Sequence, residues 1–212
     1  MSRPFPDADS LAAHLAWRLS QPWTRPAAGP LKGDADLLPG GESPAQARLA
    51  RRSAAVLVPL VVRPDDVTVL LTRRTRAVRR HSGQVAFPGG RVDPEDPDMV
   101  TTALREAEEE IGLPRDLPTV LGSLAPYDTA TGFSVTPVVA TVAGPFSPIP
   151  DPNEVESVFE VPLAFLMDPA NHQRRTGTLG SHGVHAGQRG ACSFPGANGR
   201  GRRKRARPVG AP

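Results

Sequence analysis

The sequence predicts an α/β fold in which helices sandwich a mixed β-sheet. Three observations indicate this fold: Val- and Leu-rich segments of strand length come first, a single strongly amphipathic helix follows, and further strands precede a short final helix. The length of 212 residues suits one domain with extensions. We expect the domain at residues 51–170, an N-terminal helix with a Pro/Gly-rich lead-in at 1–50, and a tail at 171–212.

The predicted strands are apolar runs bounded by turn residues. Residues 54–62 and 67–71 flank Arg63-Pro64-Asp65-Asp66, which is typical of a hairpin. A short strand at 84–87 is expected to stop at Pro88-Gly89-Gly90. The remaining strands are predicted at 120–124, 134–142 and 155–161.

Helices are predicted before, between and after these strands. The first covers residues 10–20, with Asp7, Asp9 or Ser10 as its N-cap, and the last begins within 162–167. The central helix spans about fifteen residues. Its signals are Asp96 at the N-cap, Pro97 at the first helical position and Gly112 just past the end.

The central helix carries acids that differ in position. At about 100° per residue, Glu106, Glu109 and Glu110 lie on one flank and Glu108 lies on the other. A glutamate run is commonly a solvated face. Here, however, like charges at helical spacing repel, and acids in the last turn oppose the helix dipole. A hard divalent cation reverses both effects, so the three glutamates predict a site for Mg²⁺ or Mn²⁺.

Residues 90–113, which end in Arg105-Glu106-Ala107-Glu108-Glu109-Glu110-Ile111-Gly112-Leu113, resemble the Nudix box. The general form is Gly, five residues, Glu, seven residues, then Arg-Glu-aliphatic-any-Glu-Glu-any-Gly-aliphatic. Asp96 stands where the first Glu belongs and is followed by eight residues, and Ala107 fills the aliphatic position. The resemblance implies a Nudix α/β/α sandwich and a metal-dependent hydrolase of diphosphate linkages.

The segment before this box is similar to that of coenzyme A pyrophosphatases. The similarity lies in Leu70-Leu71-Thr72, Arg74, Arg79 and Gly83-Gln84-Val85-Ala86-Phe87-Pro88-Gly89-Gly90. It implies cleavage of coenzyme A to adenosine 3′,5′-bisphosphate and a phosphopantetheine. A Nudix hydrolase of another nucleoside diphosphate derivative, such as ADP-ribose or a dinucleotide, is the alternative.

The resemblance also implies residue roles. Metal ligands are the carbonyl of Gly90 and the side chains of Glu106, Glu109 and Glu110. Glu109 or, from a loop before the last strand, Glu154 is the candidate base, and Arg105 is expected to orient a glutamate or to form a structural ion pair. Phosphate binding is expected from Arg74, Arg79 and His81, for which a solvated basic patch is the alternative.

Charge is unevenly distributed along the chain. Residues 171–212 hold nine Lys or Arg and no acid, whereas residues 1–170 hold 16 basic and 22 acidic side chains. We expect this tail to be disordered or the product of a frameshift, and to bind no nucleic acid. A nucleic-acid-binding protein and an inactive Nudix scaffold are the alternatives from other classes.

Composition also bears on the compartment. The single cysteine, Cys192, forms no internal disulfide, and no apolar run of membrane-spanning length occurs. We therefore expect a cytoplasmic protein with no membrane association. The Nudix resemblance implies a small-molecule substrate, and the oligomeric state is undetermined.

Overall fold

A computed structural model describes residues 7–21, 33–34, 51–63, 66–75, 83–129, 131–172, 175–179 and 184–188. The helices are α1 (Ala8–Ser20), α2 (Met99–Ile111), α3 (Leu163–Met167) and a 3-10 turn (Pro169–Asn171). The strands are β1 (Arg52–Val62), β2 (Val67–Arg74), β3 (Val85–Ala86), β4 (Gly89–Arg91), β5 (Pro118–Ser123), β6 (Tyr127–Asp128), β7 (Phe133–Val142), β8 (Val155–Pro162), β9 (Arg175–Leu179) and β10 (Val184–Gln188). None of the helices in these ranges is long and apolar enough to cross a bilayer.

The main sheet is mixed, as predicted. Strand β1 lies at its centre and pairs in parallel with β7, from Arg52 opposite Phe133 to Val61 opposite Val142. The other pairings are antiparallel: β5 and β6 join β7, while β8 and β3 join β2. The predicted hairpin of β1 and β2 is confirmed.

The second edge of β1 is divided between two strands. Residues Leu60–Val62 pair with β2, and residues Ala54–Val56 pair with β4. We expected the chain to leave the sheet at Pro88-Gly89-Gly90, but it transfers from β2 to β1 and continues as β4. Gly89 permits this transfer, because its φ is 153° and a Cβ there would lie 2.4 Å from the Ala55 carbonyl oxygen.

Helices cover both faces of the sheet. Helix α2 packs on one face through Ala103, Ala107 and Ile111, against a core that includes Leu57, Leu70 and Val138. On the other face, α1 and α3 cover residues such as Leu60 and Val139 with Leu15, Leu19, Leu163, Phe165 and Leu166. Burial of this apolar surface stabilises the fold by about 25 cal/mol per Å². The α/β/α sandwich is therefore confirmed.

The N-terminal boundary of α2 corrects our prediction. Asp98, not Asp96, is the N-cap, and its carboxylate accepts a hydrogen bond of 2.7 Å from the backbone N–H of Thr101. The helix begins at Met99, so Pro97 precedes it. Asp96 instead accepts hydrogen bonds from Arg105 of the helix. The predicted end at Gly112 is confirmed, with a left-handed φ of 67°.

Four further elements differ from expectation or refine it. Helix α1 begins at Ala8, two residues earlier than predicted, and Asp7 caps it by accepting from the N–H of Ser10. The two-residue strand β6 was not predicted. Within the tail, β9 and β10 pair antiparallel, although we expected no regular structure there. Backbone hydrogen bonds, which need no apolar pattern, account for this pairing.

Candidate active site

The acidic flank of α2 faces strand β4 and the loop before β8. Glu110 is buried, with 4% of its surface exposed, and Glu106 is half-buried, whereas Glu109 has a side chain 54% exposed. Glu108 lies on the other flank, as the helical projection predicts, and accepts a hydrogen bond of 2.6 Å from Arg115. The helix thus separates one glutamate from the three candidate ligands.

Glu110 is held by the backbone of the Gly89-Gly90 strand. The N–H of Gly89 donates to Oε2 of Glu110 over 3.2 Å, and Arg74 Nη1 lies 3.7 Å from Oε1. The pKa of Glu110 is raised to about 7. Burial is the largest cause; the hydrogen bond from Gly89 and the charge of Arg74 oppose it, and the nearby carboxylates of Glu154 and Glu106 add to it. The hydrogen bond from the N–H of Gly89 to Glu110 was not predicted from the sequence.

Glu106 lies directly over Gly90. A Cβ at Gly90 would lie 2.4 Å from the Glu106 carboxylate, so only glycine leaves room for that side chain in its present place. Burial raises the pKa of Glu106, as do the charges of Glu109 and Glu154, while Arg105 opposes the shift. The backbone of Gly90 and the Glu106 carboxylate therefore meet at one point of the site.

Arg105 joins the acidic flank of α2 to the loop before the helix. Its Nη1 donates to Glu106 and to Glu109, each over 3.1 Å. Its Nε and Nη2 donate to the two carboxylate oxygens of Asp96 over 3.1 and 2.8 Å, and Nη2 also donates to the Arg91 carbonyl. These hydrogen bonds lower the pKa of Asp96 and raise that of Arg105.

Glu154 is brought to the site by the loop before β8. The N–H groups of Ile149 and Asp151 donate to the carbonyls of Ile111 and Glu110, each over 2.9 Å, at the end of α2. The carbonyl of Asp151 in turn accepts from the N–H of Glu154 over 3.0 Å. The C-terminus of α2 therefore fixes the loop that carries Glu154.

A β-bulge in β8 determines which residue faces the site. Arg73 pairs with Ser157 but Arg74 pairs with Val155, so Glu156 is the extra residue. Val155 is buried in the core beneath α2, and Glu156 is exposed. Without the bulge, Glu156 would stand opposite Arg74.

Arg74 lies between two carboxylates. Besides Glu110, its guanidinium approaches Glu154, with 3.7 Å between Nη2 and Oε2. The other two predicted phosphate-binding residues, Arg79 and His81, lie outside the described residues. The structure therefore brings together every predicted site residue that it describes: Arg74, Gly90, Arg105, Glu106, Glu109, Glu110 and Glu154.

The donor set fits a hard divalent cation. Carboxylates and a backbone carbonyl are the oxygen ligands that Mg²⁺ and Mn²⁺ prefer, and two of the carboxylates are buried enough to have raised pKa values. Across the ranges that the structure describes, no three acidic, cysteine or histidine side chains are already drawn into a metal cage. The guanidinium groups of Arg74 and Arg105 lie among the carboxylates instead.

Comparison with known proteins defines the class to which this fold and site belong. Residues 51–178, more than half of the chain, match the family described as NUDIX domain. The chain therefore belongs to the Nudix family.

Two curated relatives, both named "Uncharacterized Nudix hydrolase NudL", are similar over the same region. The protein from Yersinia enterocolitica is 52% identical over 110 residues, which cover 52% of this chain and 56% of the relative. The protein from Yersinia pestis is 49% identical over 112 residues, covering 53% and 56%. The chain thus spans about half the length of the curated relatives that it matches.

Among solved structures, the Nudix hydrolase RenU from M. Smegmatis is 27% identical with a TM-score of 0.47, covering 55% of this chain and 73% of that one. The NUDIX domain of Shewanella oneidensis NrtR complexed with ADP ribose is 21% identical with a TM-score of 0.45, covering 60% and 82%. Both TM-scores are too low to support an argument about substrate.

Proposed function

We propose that this protein hydrolyses a diphosphate linkage in a nucleoside diphosphate derivative, using Mg²⁺ or Mn²⁺. The observation that carries the proposal is that Glu106 and Glu110 converge on the Gly89-Gly90 strand, with the charges of Glu109 and Glu154 close enough to act on them. We propose residues 51–170 as the catalytic unit and the cytoplasm as its compartment.

Glu106, Glu109, Glu110 and the carbonyl of Gly90 would hold the metal. A bound divalent cation supplies a more acidic water and neutralises charge on the diphosphate oxygens. The protein contributes the fixed positions of the ligands: Gly89 holds Glu110, and Arg105 holds Glu106 and Glu109. Arg105 thus acts as a positioning residue, itself held by Asp96.

Glu109 and Glu154 are the candidate bases. In the reaction, water oxygen forms a bond to one phosphorus, the bond from that phosphorus to the bridging oxygen breaks, and the water proton passes to a carboxylate. Both side chains are about half exposed, so either can exchange the proton with solvent. The two products are phosphate monoesters.

Arg74 is the candidate for binding the departing phosphate. It already faces the site, and a guanidinium suits phosphate oxygens in geometry and charge. From the sequence, Arg79 and His81 are proposed to act with it.

Coenzyme A is the proposed substrate within this class. The support is the sequence segment 70–90, which is similar to that of coenzyme A pyrophosphatases and forms β2, β3 and β4 beside the acids. Cleavage would yield adenosine 3′,5′-bisphosphate and a phosphopantetheine.

The test is hydrolysis of coenzyme A, ADP-ribose and a diadenosine polyphosphate side by side, with Mg²⁺ or Mn²⁺ and product identification by mass. We expect coenzyme A to give the highest kcat/KM. Glu110→Gln should lower activity by about 100-fold or more, because ligand and support positions in metal sites have effects of this size. Glu108→Gln, which removes the same charge from the opposite flank, is the matched control and should retain activity.

Faster cleavage of ADP-ribose or the dinucleotide would replace coenzyme A as the substrate but keep the reaction class. Equal activity in Glu110→Gln and Glu108→Gln would remove the metal site itself.

A further inference from the structure

The two arginines of the site are held very differently. Arg105 makes hydrogen bonds of 2.8 to 3.1 Å to its own helix, to β4 and to the loop between them, and its side chain is 13% exposed. Arg74 approaches its two carboxylates only to 3.7 Å, beyond hydrogen-bond distance, and its side chain is 29% exposed. Arg105 is therefore held in place by hydrogen bonds, whereas Arg74 is an ion-paired cation with access to solvent.

Arg74 also occupies a defined electrostatic position. Glu110 is buried and its charge requires compensation, and the structure supplies Arg74 for this purpose. The second carboxylate, Glu154, comes from the loop before β8, and it lies near Arg74 because the bulge in β8 places its neighbour Val155 opposite Arg74. One guanidinium thus neutralises one proposed metal ligand and one candidate base together.

We propose that Arg74, the shared counter-ion of Glu110 and Glu154, is displaceable and competes with the divalent metal for Glu110. Metal binding releases the guanidinium, which then becomes available for the diphosphate oxygens of the substrate. Arg74 therefore lowers the affinity of the free protein for metal. This inference rests on the proposed function, because it takes Glu110 as a metal ligand.

If Arg74 competes with the metal, its removal should increase metal affinity; if Arg74 is only structural, its removal should decrease that affinity. Removal of a positive charge beside a cation site strengthens cation binding, whereas loss of a structural ion pair would loosen the site and weaken it. We expect Arg74→Gln to bind Mn²⁺ at least about fivefold more tightly than the unaltered protein, since a nearby unit charge contributes on the kcal/mol scale. Its kcat/KM should nevertheless fall, because the phosphate loses its cation.

The experiment is titration of the full-length, metal-free protein with Mn²⁺ alone, followed by electron paramagnetic resonance and calorimetry. Arg73→Gln is the matched control: it removes the same charge one residue away, on the opposite face of β2. We expect it to change Mn²⁺ affinity by less than about twofold, because solvent screens a charge on the far face. In a Glu154→Gln background, the gain from Arg74→Gln should shrink.

Unchanged or weaker Mn²⁺ binding by a folded Arg74→Gln variant would overturn the inference. So would an equal gain in Arg73→Gln. Circular dichroism establishes folding, and Arg74→Lys, which keeps the charge, should keep the affinity of the unaltered protein even if the Gln variant is unstable. Failure of the proposed function gives a different result: the unaltered protein and Glu110→Gln would bind Mn²⁺ alike and cleave no diphosphate.

Discussion

Asp96 and Arg105 form a bidentate ion pair in which Nε donates to Oδ1 over 3.1 Å and Nη2 donates to Oδ2 over 2.8 Å. The pair joins the loop before α2 to the middle of the helix. Because the same guanidinium contacts Glu106 and Glu109, the position of Asp96 affects the acidic flank of α2 through a single side chain.

Asp96→Asn is expected to lower the free energy of unfolding by about 1–3 kcal/mol, the range for removing the charge from a buried hydrogen-bonded partner. The Asp96 side chain is only 5% exposed. Asp93→Asn is the control, because Asp93 is 58% exposed and 3.6 Å from Arg105 and should contribute less than about 1 kcal/mol. Urea unfolding measures both variants. Equal losses of unfolding free energy would show that Asp96 contributes no more to stability than the exposed Asp93.

The same pair predicts a pH dependence of stability. Hydrogen bonds from Arg105 lower the pKa of Asp96 below its ordinary value of 3.8, so unfolding takes up a proton as the solution becomes acidic. The contribution of Asp96 is therefore fully present above about pH 5 and is lost as the pH falls through and below 4. Between pH 7 and pH 2.5, the difference in unfolding free energy between Asp96→Asn and the unaltered protein should become smaller as the pH falls; a constant difference would contradict this.

Alanine substitutions at the two adjacent glycines of β4 should have different effects on stability and on metal binding. A Cβ at Gly90 would meet only the end of the Glu106 side chain, so Gly90→Ala should fold with a loss of less than about 1 kcal/mol but displace Glu106 and weaken Mn²⁺ binding. A Cβ at Gly89 would meet the Ala55 carbonyl and the Val56 backbone, so Gly89→Ala should lose about 2 kcal/mol or more of stability. Thermal unfolding and Mn²⁺ titration distinguish the two, and similar stability in both variants would refute the distinction.

Glu109 and Glu154, the two proposed bases, can be distinguished by substitution. Replacement of the true base by Gln should remove the acidic limb of the pH profile for kcat and lower kcat by about 100-fold or more. Replacement of the other residue should leave that limb in place. Glu156→Gln is the control, because the β8 bulge leaves Glu156 exposed, and its activity should be unchanged. Loss of the acidic limb in both or neither variant would exclude a single base.

Periodic patterns predicted the framework of the fold correctly. Strands β1 and β2 and the hairpin between them follow from apolar runs on either side of turn residues, and the amphipathic α2 follows from the spacing of its apolar residues. Gly112 marks the end of that helix. The sequence also separates Glu108 from Glu106, Glu109 and Glu110, because side-chain direction on a helix depends on spacing alone.

Features that depend on contacts between distant parts of the chain could not be predicted from the sequence. Asp96 and Asp98 are both good caps, and the choice of Asp98 follows from the contact between Asp96 and Arg105 across the loop. Likewise, the local sequence around Gly89 predicts the end of a strand, but Gly89 pairs with β1, along an edge that β2 leaves unpaired. The closeness of Arg74 to Glu154 required the bulge in β8, which no local pattern indicates.

The parallel pairing of β1 with β7 has a kinetic consequence. Its partners are about eighty residues apart along the chain, and loop-closure entropy makes such long-range pairing slow. Gly90, Glu110 and Glu154 belong to segments that this central pair and its neighbours bring together. We therefore expect a divalent cation to leave the refolding rate unchanged and to slow unfolding only, since its ligands assemble after the rate-limiting step.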